Sequence, residues 1–211
     1  MALLKHQPRA MTHPLADDER LDGQLCRVTL RHSVAQESSD QRLCEAANRI
    51  LRGLQHRRLA AATRVDRDAE GRLVLSYPND DLHPASLYLG SKDAGFIATV
   101  LEGVCEALDA AHGMGVFHGA LTPCAVRIRS TTTPPVVEVS DFGVGHLFGI
   151  NAALDDHPSW LPCSPEKQQG LEPTPAEDVY LVGALGFALL AGRPLFEGGS
   201  HHQLLHKHAS K

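Results

Sequence analysis

The most regular hydrophobic spacing in the chain runs from Asp93 to Met114. There Phe96, Ile97, Val100, Leu101, Val104, Leu108 and Ala111 recur every three or four residues. That period gathers them on one helical face, and Gly113 or Gly115 can end the helix. A strongly apolar helix is predicted over Ala176–Ala191, stopped by Gly192-Arg193-Pro194. A third, over Gln41–Gln55, carries Leu43, Ala47, Ile50, Leu51 and Leu54 on one stripe, with Ser39 and Asp40 available as caps. Elsewhere alternation replaces helical spacing. Leu25–Arg31 sets Val28 and Leu30 against Thr29 and Arg31, which predicts a strand. Strands around Ala60–Asp66 and Arg72–Tyr77 are joined through Asp68–Gly71, and Val126–Arg129 and Val136–Ser140 form a second hairpin. A short polar helix fits His201–His208.

Residues 1–17 contain Pro8 and Pro14 and show no periodicity, so they are expected to be a tail. Pro78–Pro84 has linker composition and divides residues 18–80 from 81–211. With 211 residues, 43% hydrophobic and 21% charged, the chain has ample material for a core. Its net charge of −5 provides no basic footprint, so nucleic acid is not expected as a partner. No apolar run approaches the roughly 18 residues of a membrane span, and the Met1–Lys5 start is too short for a signal peptide. The five cysteines are scattered and read as reduced thiols, with Cys105 a small core residue, so a cytoplasmic location is expected.

The chemistry-bearing stretch is His118-Gly119-Ala120-Leu121-Thr122-Pro123-Cys124-Ala125-Val126, followed by Asp141-Phe142-Gly143. It resembles the catalytic loop H-R-D-x-x-x-x-N and the metal-binding motif of protein kinases. Further on, Ser164-Pro165-Glu166 resembles the A-P-E motif, and Asp178–Gly183 with Gly192–Phe196 resembles the D-V-Y-S-L-G…G-R-P-P-F pattern. Leu108–His118 is similar to the helix entering that loop in bacterial Ser/Thr kinases. The resemblance covers about residues 18–211 and is strongest from Leu108 to Phe196. It implies an α+β, two-lobed protein kinase-like fold. The N-lobe would be reduced and β-rich, and the C-lobe truncated and mostly helical.

The departures from that pattern bear on function. Ala120 takes the position of the catalytic Asp and Ala125 that of the metal-binding Asn, and a methyl group does neither job. Before Val28 stands a single glycine, Gly23, so no glycine-rich lid over phosphates is expected. Where the family has its nucleotide-pairing Lys, alignment gives Arg31, or Thr29 if shifted by two; Arg31 is the cofactor-facing candidate. Ala47 falls where the partnering helix Glu belongs, and Glu45 lies about 200° round the helix from it. Arg127 replaces an apolar residue in the floor of the adenine slot, where a guanidinium needs a partner. Strand alternation turns Val126 and Ile128 to the core and Arg127 and Arg129 away from it.

Asp141 is the remaining candidate metal ligand, with an equal reading as acceptor for backbone amides of its own turn. His118, Phe142 and Gly143 belong to structural motifs in the resemblance. Asp178 resembles the Asp that holds the catalytic-loop backbone, and it also suits a helix N-terminus. Glu166 would pair with an Arg from later helices, and is otherwise solvated or met by a partner. His202 and His206 are four apart, but no third metal ligand accompanies them. Ser159 and Cys124 have no accompanying His–carboxylate arrangement.

The combination implies a pseudokinase acting as a protein-binding or regulatory scaffold, without efficient phosphoryl transfer and without a resident cofactor, ATP and Mg being held weakly if at all. A divergent Ser/Thr kinase that uses ATP and Mg through unusual residues is the alternative. The expected partner is a protein, with homo-oligomerisation through an uncovered C-lobe face as one form of it, and neither nucleic acid nor membrane.

Overall fold

A computed structural model describes residues 16–22, 25–30, 56–60, 62–67, 69, 73–78, 81–142, 164–168 and 174–197, with Glu45, Arg49, Gln203, His206 and Lys207 besides. Seven strands and three α-helices are described: β1 (Ala16–Asp22), β2 (Leu25–Leu30), β3 (Arg64–Arg67), β4 (Leu73–Pro78), β5 (His83–Pro84), α1 (Ala94–His112), β6 (Val126–Arg129), β7 (Val136–Val139), α2 (Pro165–Gln168) and α3 (Pro175–Ala191).

The first four strands make an antiparallel sheet in the order β1-β2-β4-β3, and β5-β6-β7 make a small second sheet. Residues 16 and 17, expected in a tail, instead begin β1, which pairs with β2 from Ala16↔Leu30 to Asp22↔Leu25. The polar run Ala-Asp-Asp-Glu-Arg-Leu-Asp owes its extended state to that pairing. Gly23, the first of the two residues between the paired Asp22 and Leu25, is the hairpin signal that the sequence carries.

Helix α1 starts where Asp93 accepts a hydrogen bond from the Phe96 amide at 2.9 Å, and Gly113 follows its end. Its buried positions are Ile97, Val100, Gly103, Val104, Ala107, Leu108 and Ala111; of the predicted stripe Phe96 and Leu101 are only partly buried, while Gly103 and Ala107 join the buried face. They meet Val137 and Val139 of β7 and Leu181, Leu185 and Leu189 of α3 in one core. Each of the Ile, Val and Leu side chains among them contributes about 1.5–3 kcal/mol by leaving water. Cys105, expected in this core, is exposed, because the stripe covers only one face of α1 and Cys105 falls outside it.

Helix α3 is capped by Thr174, which accepts from the Glu177 amide, and begins with Pro175. It ends at Gly192, whose φ of 73° is the left-handed conformation that glycine adopts without strain. Val179 (69% exposed) and Leu190 (51%) lie on its outer side with Gly183 between them. That apolar face is uncovered among the described residues.

Helix α1 approaches β7 most closely at Gly103. A Cβ there would stand 2.8 Å from the Val137 Cβ, and a β-branched side chain on a paired strand has little room to yield. Gly103→Ala is therefore expected to destabilise the fold by about 1–3 kcal/mol, read as a lower urea midpoint. An unchanged midpoint would show that the strand moves freely.

Candidate functional site

The site forms where β7 turns out of its sheet beneath β4. Asp178, in the first turn of α3, is fully buried. Its Oδ2 accepts from the His118 amide at 2.9 Å and its Oδ1 from the Gly119 amide at 2.8 Å. The His112 Nε2 lies 2.8 Å from Oδ2, and as the carboxylate only accepts, His112 donates. Three donors thus satisfy one buried charge and fix the backbone of residues 118–119. Gly119 sits there with φ of 67°.

His118 is buried against Phe142, their ring centroids 4.9 Å apart. Its Nδ1 accepts from the Ala120 amide at 3.3 Å, leaving the ring proton on Nε2. Burial pushes its pKa down, with the Asp178 and Asp141 charges opposing, so the ring is neutral. Ala120 and Ala125 point their methyl groups into packed surroundings, 2% and 1% exposed. The Ala125 carbonyl accepts from both the amide (2.8 Å) and the hydroxyl (3.1 Å) of Ser140. The loop therefore keeps its shape while presenting no proton acceptor or metal ligand at those two positions.

Asp141 is 3% exposed, with a positive φ of 62°. Its Oδ1 accepts a 2.7 Å hydrogen bond from the hydroxyl of Tyr77, and its own amide donates to that hydroxyl at 3.0 Å. Tyr77, 2% exposed at the end of β4, carries no sequence motif and was not anticipated. Burial raises its pKa well above the ordinary value, as do the Asp141 charge and hydrogen bond. It is a neutral donor at physiological pH. Arg127 is only 8% exposed; it faces away from the helical core, as alternation predicts, yet β4 covers it. Its Nη1 donates to the Pro78 carbonyl at 3.3 Å, which gives the guanidinium a partner.

The other candidates are less closely assembled. Glu166 is exposed, and its neighbour Lys167 reaches inward instead. Lys167 donates to the Gly119 carbonyl and lies 3.5 Å from Glu177, whose carboxyl is pushed up by burial while Lys167 pulls it back. This link between α2 and the loop was not read from sequence. Glu45 stands 4.0 Å from Arg49, both about half exposed, and Arg49 also donates to the Gly115 carbonyl at 3.4 Å. Arg31, Ala47, Gly143, Ser159 and His202 lie outside the described residues. Among the described residues no three His, Cys, Asp or Glu are placed to hold a metal, and no helix is long and apolar enough to cross a membrane.

In the crystal structure of the Mycobacterium tuberculosis PknI kinase domain the same architecture recurs, with a TM-score of 0.62 at 22% identity, covering 84% of this chain and 67% of that one. The chain has a protein kinase-like fold. Among curated proteins it is 35% identical over 112 residues to the serine/threonine-protein kinase PkaA of Streptomyces coelicolor, covering 51% of this chain and 20% of that protein. It is 31% identical over 131 residues to the serine/threonine-protein kinase Pkn1 of Myxococcus xanthus, covering 58% and 19%. A probable serine/threonine-protein kinase of Streptomyces coelicolor matches over 208 residues at 26% identity, covering 92% of this chain and 30% of that protein. The chain thus spans about a fifth to a third of the length of these curated relatives. No protein-family model matches.

Of the residues that would hold ATP with Mg²⁺, the ligand such a fold implies, those described offer one candidate metal ligand, Asp141. The two loop positions are methyl groups, and the Asp141 carboxylate is directed at a buried tyrosine hydroxyl. A lone carboxylate grips Mg²⁺ weakly because that ion keeps its waters.

Two outcomes test this kinase-like core. Asp178→Asn sets an amide donor against backbone donors and is expected to lower stability by about 2–4 kcal/mol in chemical denaturation. The second concerns pH. Because the folded-state pKa of His118 lies below its ordinary value near 6.5, the unfolded chain binds that proton more readily. The stability this ring supports is full above about pH 6.5 and is lost as pH falls through the folded value. Thermal midpoints should drop from pH 7 to 5, and less steeply in His118→Gln.

Proposed function

We propose that this chain is a pseudokinase: a cytoplasmic kinase-like domain that binds a protein partner or acts as a regulatory scaffold, without efficient phosphoryl transfer. The observation that carries this reading is the pair of buried methyl groups, Ala120 and Ala125, on a loop whose backbone is nevertheless held by Asp178. Phosphoryl transfer depends on positioning and charge stabilisation more than on covalent help from the protein, so the missing groups remove factors that multiply. The Tyr77 hydroxyl on Asp141 supports the same reading, since it engages the remaining candidate ligand for a metal.

The partner surface is the outer side of α3, where Val179 and Leu190 flank Gly183. Exposed apolar side chains on one helix face are common material of protein interfaces. A second copy of the chain is one occupant, and sedimentation would show it as a concentration-dependent dimer lost in Val179→Glu.

Calorimetry with ATP, with and without Mg²⁺, tests the central claim. No saturable heat below millimolar concentration is expected, nor phosphate incorporation into the chain or a protein substrate. Micromolar Mg-dependent binding, with labelled phosphate transfer abolished by Asp141→Ala, would instead establish the divergent kinase.

A further inference from the structure

We propose that Asp141 is closed off by a built-in lock centred on Val139–Asp141, with Tyr77 as its movable bolt. Three consecutive residues are tied to three different parts of the molecule. Val139 donates to the Arg58 carbonyl and accepts from the Ala60 amide, both at 2.9 Å. Ser140 grips the Ala125 carbonyl through its amide and its hydroxyl. Asp141 exchanges two hydrogen bonds with the Tyr77 hydroxyl. Strand β4 and the segment 56–60 are thereby fastened to neighbouring points on one strand end. Two side ties reinforce the arrangement: Arg127 to the Pro78 carbonyl at 3.3 Å, and Arg58 to Glu106 at 2.7 Å on the outer face of α1.

Withdrawing Tyr77 takes one hydrogen-bond partner from a buried amide and one from a buried carboxylate at the same time, so opening is cooperative and the open state rare. Any ligand that reaches Asp141 must first select that state, and its apparent affinity falls by the open fraction. Asp141 is thus shielded by the chain's own tyrosine. This holds whether or not the chain transfers phosphate.

Tyr77→Phe keeps the ring and removes only the bolt. Amide hydrogen exchange by NMR on the full chain is expected to quicken at Asp141 by tenfold or more, with Val100 and Val104 in α1 changing much less. Equal rates at Asp141 in parent and variant, or a uniform rise that includes α1, would overturn the lock. Alkaline titration at the tyrosine absorption band supplies a second readout. The parent should show a Tyr77 step well above the ordinary tyrosine range near pH 10, and Tyr77→Phe should lack it. Absence of that late step in the parent would show that Tyr77 is not held.

Discussion

A buried carboxylate has to be satisfied, and in this molecule the way Asp178 is satisfied shapes everything around it. Its two oxygens accept from the His118 and Gly119 amides and from the His112 ring. Those donors fix the loop after α1 in the turn that lets Gly119 take a positive φ and lays His118 on Phe142. Phe142 follows Asp141, so the strand end carrying the lock inherits its position from a charge on α3. A carboxylate exposed to water would impose no such geometry, because solvent would satisfy it in any orientation.

The groups that shape the loop are distinct from those that would act on reactants, so the fold does not depend on the chemistry. Asp178 and Ser140 are hydrogen-bonded to the loop backbone, and Phe142 packs on His118. Positions 120 and 125, where a kinase needs polar groups, hold methyls that are nearly fully buried. Small apolar residues fit such places without stranding a donor or acceptor, so methyl groups there leave packing intact. Lys167 extends the pattern: it ties α2 to the Gly119 carbonyl and to Glu177, where the A-P-E-like Glu166 faces solvent.

The lobes are joined as firmly as the loop is built. Tyr77 and Arg127 are polar residues in a slot that would otherwise be apolar, and each finds its partner across the lobe boundary. Polar groups in a low-dielectric setting are strong when paired and penalising when not, which makes the closed arrangement well defined. The outer side of α3, by contrast, carries apolar residues with no partner among those described.

Local patterning set α1, α3 and the β6–β7 hairpin, because each depends on spacing among near neighbours; α2 carried no such signal. The stripe from Ile97 to Ala111 is buried as its period requires, apart from the partly buried Leu101, and Gly192 ends α3 where the Gly-Arg-Pro sequence predicts. The motif resemblance carried Asp178 and the two alanines. It also marked Arg127 as a charge in need of a partner, though the identity of that partner, the Pro78 carbonyl, was not legible. Tyr77 showed nothing beyond being the last residue of a strand, and Cys105 looked like core until its face was known. Strand β1 is polar and exists through its pairing with β2. Tyr77 meets Asp141 across 64 residues of sequence, and Asp178 meets His118 across 60. Periodicity and propensity act within a turn or a strand pair; which distant polar groups meet is decided only when the packed core brings their elements together.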